Sequence, residues 1–438
     1  MNQDASTSPR SPSVTADTDL QRSGKALPED HFDVVVVGGG PAGLAAALAL
    51  AATGVRTAVA APPHRPTGAR PDTRTAALFP GSITMLGNLG VWEGVREMSA
   101  PLAGIRLIDD RDAILKAPEV TFEAREIGRD SFGYNVPNAP LVEHLTRRCH
   151  APRSGVTVVE TEGVTHIDID ADGARLKLAE GRKLHARLVV GADGRRSLAR
   201  DAAGIGTDAW TYDQSALAMT FAHSRPHHGI STEFHRPAGP FTTVPMPGLV
   251  SSLVWVERPA IAERLASLDD SGIRAALKER LHGLLGAVGD VGPRALFPLS
   301  GLTARTYGKN RVALVGEAAH VIPPIGAQGL NLGMRDAASL ADCVRDALES
   351  GRDIGAPETL AAYDRSRRAD VASRVWSIDL LNKSLLSPLL PVHLMRGMGL
   401  FALKTVGPLR RMVVREGLHP SFALPALMRE ASPTRAPT

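Results

Sequence analysis

FDVVVVGGGPAGLAAALALAATGVRTAVAAP, Phe32 to Pro62, decides the fold. Val34 to Val37 is a β-branched run closed by glycine, the pattern of a strand buried on both faces of a parallel sheet. Ala42 to Ala52 is rich in Ala and Leu and reads as a helix stopped at Gly54. Arg56 to Ala60 reads as a second strand. Strand, helix and strand make a βαβ unit, which implies an α/β sheet covered on both faces. Between the first strand and the helix stand Gly38, Gly40 and Gly43. Their GxGxxG spacing permits a tight turn, approach of a pyrophosphate to the backbone, and close helix–strand packing, which together suit an adenine dinucleotide.

One part of that pattern is missing. The end of the second strand should carry Asp or Glu for the adenosine ribose hydroxyls. That place falls at Ala60 or Ala61, with Ala61 preferred. Glu29, Asp30 and Asp33 lie on the wrong side of the turn. Two readings stay open: Asp72 substitutes if its loop folds back, or the position has simply diverged.

A second Gly-rich stretch, RVALVGEAAHVIPPIGAQGLNLGMRDAASLAD, spans Arg311 to Asp342. Val312 to Val315 reads as a strand, followed by a Gly turn, a Pro- and Gly-rich loop and a helix. The loop brings backbone N–H groups and a helix N-terminus to one place, which suits a negatively charged ligand. The dipole alone contributes typically under ~2 kcal/mol.

The segments between alternate in character. Gly104 to Phe122 reads as a hairpin around Asp109 and Asp110, and Leu141 to Cys149 as a helix. Val156–Val159, Val164–Ile169 and Leu176–Leu178 read as a small meander with a tight turn at Asp172-Gly173. Leu188 to Val190 is another buried strand, ending in GADG. Ser215 to Glu257 is strand-like and Ile261 to Leu284 mostly helical. Sheet segments of a second kind therefore interrupt a Rossmann-like domain.

Composition agrees with a globular protein. The chain has 438 residues, 43% hydrophobic and 22% charged, which suggests two packed lobes. Aromatics at 4% and a net charge of +4 argue against a nucleic-acid partner. Cys149 and Cys343 offer neither zinc spacing nor a disulfide framework, which fits a reducing cytoplasm, and no metal set is expected. The first thirty residues read as a disordered leader rather than a signal peptide.

GxGxxG, GADG and GEAAH…P…G, in that order, resemble the class A flavin monooxygenases with the p-hydroxybenzoate hydroxylase fold. DTRTAAL (Asp72–Leu78), VPNAPLVEHL (Val136–Leu145), LVVGADGRRSLAR (Leu188–Arg200), SSLVWV (Ser251–Val256) and FPLS (Phe297–Ser300) bring the chain nearest to the ubiquinone-biosynthesis hydroxylases. The resemblance covers about Asp33 to Gly417. It implies an α/β fold: a Rossmann-like FAD-binding domain, an interleaved β-sheet substrate domain and a C-terminal helical segment. The expected division is a leader over 1–30, FAD-binding parts over 31–103, 136–210 and 306–375, substrate-sheet parts over 104–135 and 211–305, and C-terminal helices over 376–430.

The resemblance also implies roles. Gly38, Gly40 and Gly43 would hold the FAD pyrophosphate, and Arg74 and Asn138 would sit beside the cofactor. Val164 would present its backbone to adenine, and Asp193 would serve the pyrophosphate region and the path of the nicotinamide. Relatives carry Gly-Asp where this chain has Gly316-Glu317. Glu317 keeps the charge that meets the ribityl chain but adds a methylene, so FAD is expected to bind more weakly. Pro324, Gly326, Gln328, Gly329, Leu330 and Asn331 would wall the flavin ring. The implied activity is hydroxylation of a polyprenylated phenol with FAD, NAD(P)H and O2, through a flavin hydroperoxide, and no catalytic side chain is assigned. Such chemistry belongs to the cofactor, so His320 is read as a packed supporting residue. Tyr134, Tyr212 and His235 are read as structural.

Other readings are a same-fold hydroxylase of a soluble phenol or secondary metabolite, and a weakly flavin-binding scaffold of a biosynthetic complex. The tail from Leu380 to Val414, with Arg396, Lys404, Arg410 and Arg411, reads either as an interfacial amphipathic segment or as helices covering the flavin lobe. The first would place a cytoplasmic protein peripherally on the inner face of a membrane.

Overall fold

The computed structural model describes residues 30–63, 72–111, 118–324 and 326–386, with 401, 405, 407, 408, 410–412 and 424–430 beyond them. The expected leader, apart from residue 30, and most of the tail from 387 to 423 lie outside the described residues.

The βαβ reading holds. His31–Val37 and Thr57–Ala61 are strands and Pro41–Ala51 is the helix between them, opened by Pro41 in its first turn. Val34, Val35 and Val36 are fully buried, as the uninterrupted apolar run requires. The strand sits at the centre of a sheet ordered Gly308–Lys309, Val312–Leu314, Lys183–Gly191, His31–Val37, Thr57–Ala61, Val156–Glu160. All neighbours are parallel except the short edge pair Gly308–Lys309 and Val312–Leu314. So strands far apart in sequence complete one nucleotide-binding sheet.

Val156–Val159 is a correction. It does not belong to a meander but forms the outer parallel strand, with Ala58 opposite Thr157 and Ala61 opposite Glu160. The meander is Val164–Ile169, Ala174–Leu178 and Lys183–Gly191, closed at Asp170, whose carboxylate accepts from the N–H groups of Asp172 and Gly173. Both edges of this small sheet look alike in sequence. The choice of partner depends on the buried face offered by Thr57–Ala61.

A second sheet runs His320–Val321, Ala295–Ala304, Thr207–His223, Val250–Glu257, Phe241–Met246, Ile230–His235, Gly104–Asp109, Val120–Glu123. It is antiparallel apart from the pair Ile230–His235 and Gly104–Asp109. Leu217, Met219, Phe221, Leu253 and Trp255 pack on one face against Ile273, Leu277 and Leu281 of the helix Asp270–Leu281. Alternation along the strands turns Ala216, Ala218, Ser252 and Val254 to the opposite face. A three-stranded sheet, Thr75–Leu78, Tyr134–Pro137 and Ala100–Pro101, bridges the two larger ones.

Candidate active site

Three elements meet at one alanine. The first-turn residue Ala42, the turn at Gly316 and the helix Gln328–Glu349 converge, so that a Cβ built at Gly316 or at Gly333 would lie 3.1 Å from the Ala42 Cβ. Gly38 has φ +118°, and a side chain there would reach within 2.3 Å of the Ala192 carbonyl oxygen. At Gly43 it would meet the Gly38 oxygen at 2.3 Å. These two glycines are therefore sterically obligatory, which brings the first motif against GADG. A Cβ at Gly40 or at Gly329, by contrast, meets no atom within 4 Å. Those two positions face open space, as a cradle for a ligand should.

The long helix opens from Ala327, and no side chain caps its first turn. Gly326 and Gly329 are exposed, and Pro324 is exposed before them, so free N–H groups point outwards. Leu330 is partly buried, and the Gln328 side chain accepts from Arg374 Nη1 at 2.8 Å. Asn331 differs from its expected role. Its side chain accepts from Phe79 N and Ser82 Oγ at 2.9 and 2.8 Å and donates to the Ala77 and Ala327 oxygens at 2.8 and 2.7 Å. With every polar site of the amide taken, the side chain is a staple between helix and bridging sheet. Only its backbone N–H remains for a ligand.

That staple carries Arg74 to the same place. Arg74 donates to Asp72 through Nε and Nη2, both at 2.8 Å, and lies 5.3 Å from the centre of the Phe297 ring. The Asp72 carboxylate raises the Arg74 pKa, and Glu317 adds to the effect, so these residues share one electrostatic neighbourhood. Burial pushes the Asp72 carboxyl up, but Arg74 and Asn138 outweigh it and hold it below its usual value. Asn138 donates its backbone N–H to the Arg74 oxygen at 3.0 Å, and its buried Oδ1 has no partner. An orphaned acceptor beside an open glycine cradle and an uncapped helix fits a bound flavin. Asp72 is committed to this cluster and does not substitute at Ala61.

Asp193 accepts from Ser197 Oγ at 2.5 Å and from Ala199 N at 3.2 Å, which orders the turn into the helix Leu198–Ala202. Val164 opens its strand just after Thr161, whose N–H donates to the Ala61 oxygen at 3.0 Å. Pairwise neighbours connect several of the predicted residues: Gly39 with Ala61, Gly38 with Asp193, Ala42 with Gly316, and Arg74 with both Glu317 and Asn138.

Sequence reasoning missed what holds the Gly316 turn. Asp336 is buried and accepts from Gly316 N at 3.0 Å, His320 Nε2 at 2.7 Å and Arg367 Nε at 2.7 Å. Arg367 also donates to Asp370, which pairs with Arg335 and Arg374. His320 is buried in this network and reaches no open space, so it supports the site rather than reacting in it. The available signal was an acid at helical spacing among Gly333, Ala337 and Leu340, where the apolar face of the helix should be uninterrupted. Tyr134 packs on Trp92, Tyr212 accepts from Trp210 and donates to Asp379, and His235 pairs with Glu233.

Facing the helix N-terminus is the second sheet. Thr75 Oγ1 lies 2.9 Å from Ser252 Oγ, and Asn135 Nδ2 donates to Ser252 Oγ at 3.1 Å. The face presented there carries Ala216, Ala218, Ser252, Val254, Thr242 and Phe297, with Glu233 opposite Thr242 on the next strand, where it pairs with His235. No helix among the described residues is long and apolar enough to cross a membrane.

The FAD binding domain family matches residues 31–377. Ubiquinone hydroxylase UbiL of Rhodospirillum rubrum is 37% identical over 88% of this chain and 89% of its own length. The 3-demethoxyubiquinol 3-hydroxylase of Escherichia coli is 31% identical over 88% of this chain and 98% of its own. Among solved structures, p-nitrophenol 4-monooxygenase PnpA of Pseudomonas putida superposes with a TM-score of 0.73 at 21% identity, over 90% of this chain and 100% of that one. The family match over most of the chain and the two relatives above 30% identity show that the chain belongs to the FAD-binding family of flavoprotein monooxygenases.

Proposed function

We propose that the chain hydroxylates the aromatic ring of a polyprenylated phenol in ubiquinone biosynthesis, with NAD(P)H as reductant and O2 as co-substrate. The names of the two relatives support the pathway. The observation that carries the substrate class is the sheet face opposite the uncapped helix, whose central residues Ala216, Ala218 and Val254 carry no charge. An anionic phenol would want a cation there, and Arg74, at its edge, is already paired with Asp72.

Bound FAD supplies the electron transfer and the activation of oxygen. The chain supplies position and environment. Gly38, Gly40 and Gly43 would hold the pyrophosphate, Val164 would offer its backbone to adenine, and Glu317 would meet the ribityl hydroxyls. The N–H groups from Gly326 to Asn331 favour negative charge at the edge of the ring, and Asn138 Oδ1 accepts from the cofactor. Asp193 holds the turn along which the nicotinamide enters. Val254, Ala218 and Phe297 seat the substrate ring and keep water from it.

Peripheral contact with a membrane is part of the same reading. Trp376, Phe401 and Met412 are 67, 60 and 62% exposed. Arg410 is less available than its sequence context implies, since it pairs with Glu126 and lies over Phe122. Flotation on anionic liposomes tests the contact. Equal recovery of a Trp376→Ser, Phe401→Ser, Met412→Ser variant counts against it.

The function is tested by mass-spectrometric profiling of quinone intermediates in a strain lacking this chain. A prenylated precursor short of one ring hydroxyl should accumulate and disappear on complementation. A normal quinone profile in the deletion strain refutes the proposal.

A further inference from the structure

The family's second strand ends in an acid for the adenosine ribose, and this chain has Ala61 there. Of the acids considered from sequence alone, Glu29 lies outside the described residues and the other three are engaged elsewhere. Asp30 pairs with Arg182 and Asp33 with Arg187, at the opposite end of the sheet, while Asp72 pairs with Arg74. The strand order supplies another. Val156–Glu160 runs parallel to Thr57–Ala61 in a register that sets Glu160 beside Ala61, at the carboxyl ends of both strands.

Paired residues of neighbouring parallel strands project to the same face of the sheet. The direction of that face is fixed by Ala61, whose Cβ would lie 2.7 Å from a Cβ on Gly39, inside the dinucleotide turn. Glu160 therefore projects from the same face, one strand further out, and it is exposed. Strands are spaced by ~4.8 Å, which a glutamate spans and an aspartate does so with difficulty. The small side chain at Ala61 leaves the intervening room. The backbone beyond is held in place: Thr161 N donates to the Ala61 oxygen at 3.0 Å, and the Thr161 hydroxyl lies 2.7 Å from Glu180 Oε2. That turn leads directly into Val164. An adenine held at the Val164 backbone would thus place its ribose against the same short segment, Glu160 to Val164.

We infer that Glu160 is the ribose-binding acid of this protein, transferred from the second strand to the third. The assignment rests on the FAD reading of the cleft and adds a residue to it. The carboxylate accepts from the 2′- and 3′-hydroxyls of the adenosine half of FAD. Glu160 touches none of the reacting atoms and contributes to cofactor affinity alone.

The experiment measures FAD affinity of the apoprotein by flavin fluorescence, independently of turnover. Glu160→Ala should raise the Kd for FAD about tenfold to a hundredfold, the range expected for charge-assisted hydrogen bonds. Circular dichroism of the apoprotein should be unchanged, because the side chain is exposed. Moving the acid back, Ala61→Glu with Glu160→Ala, should recover most of the affinity. An FAD analogue with a 2′,3′-dideoxyadenosine half should bind the native protein as weakly as Glu160→Ala binds FAD, and the variant should not distinguish the two. If Glu160→Ala binds FAD as well as the native protein does, or still discriminates against the dideoxy analogue to the native extent, the assignment is overturned. Failure of the native protein to bind FAD at all would instead overturn the cofactor reading on which it rests.

Discussion

Replacing Asp336 with Asn removes the charge on which the Gly316 turn, His320 and Arg367 converge. The geometry shows why an isosteric amide cannot substitute. Oδ2 accepts from Gly316 N and His320 Nε2, and Oδ1 accepts from Arg367 Nε. An amide has one oxygen, so its NH2 must face either the guanidinium or the two donors on the other side. The Asp336 side chain is fully buried and that of Arg367 is 2% exposed, so water cannot repair the loss. Breaking a buried ion pair from one side costs about 3–5 kcal/mol. At roughly 2 °C per kcal/mol for a long chain, Tm should fall by about 6–10 °C. FAD affinity should fall too, because the Gly316 turn loses the acceptor that holds its N–H. Thermal unfolding of Asp336→Asn with and without FAD measures both. The double variant Asp336→Asn, Arg367→Met should be less damaged than the sum of the singles, since it removes the stranded cation as well. A Tm within about 2 °C of native, together with native FAD affinity, would refute the role assigned to this network.

Three further outcomes are expected. Asp370 is driven up by burial but held down more strongly by Arg367 and Arg335, from 3.8 to about 2. A carboxyl with a depressed folded pKa contributes stability that is fully present above its unfolded pKa and lost as pH falls through the folded one, here about 2 kcal/mol between pH ~4 and ~2. Acid titration of Tm should therefore show its steepest loss in that window, and an Asp370→Asn variant should lose that slope. Glu317→Asp should tighten FAD binding by shortening the reach to the ribityl chain, and unchanged or weaker binding by equilibrium dialysis would refute the strain attributed to the added methylene. Val254→Trp should fill the centre of this sheet face, lowering kcat/KM for the aromatic substrate at least ~tenfold while FAD affinity stays native; a loss of FAD affinity equal to the loss of turnover would show that the face is not the substrate wall.

Much of the site was readable in the chain because its parts are local. The glycine turn is written in the consecutive residues Gly38 to Gly43, and its demand for Gly38 and Gly43 is steric. The helix N-terminus at Gln328 is announced by the Pro- and Gly-rich loop before it. Asn331 shows where local reading stops. An asparagine in the first turn of a helix looks like a ligand contact, yet Phe79, Ser82 and Ala77 consume its side chain. Nothing near Asn331 in sequence announces those partners. Val156–Val159 was misplaced for a related reason, since a short β-branched strand pairs equally well on paper with either neighbour.

By itself, then, the sequence determined the βαβ unit, the dinucleotide turn, the family and the order in which two kinds of sheet alternate. Each depends on periodicity and on residues within a turn or two of one another, where backbone sterics and hydrophobic period act directly. The tertiary structure alone decided which acid stands beside Ala61, which charge holds the Gly316 turn, and which face of the second sheet meets Thr75. Those are questions of register and packing between segments separated by 20 residues at the Gly316 turn and by 177 at the contact between Thr75 and Ser252. Their answers depend on which buried surfaces fit together, and no local propensity encodes that.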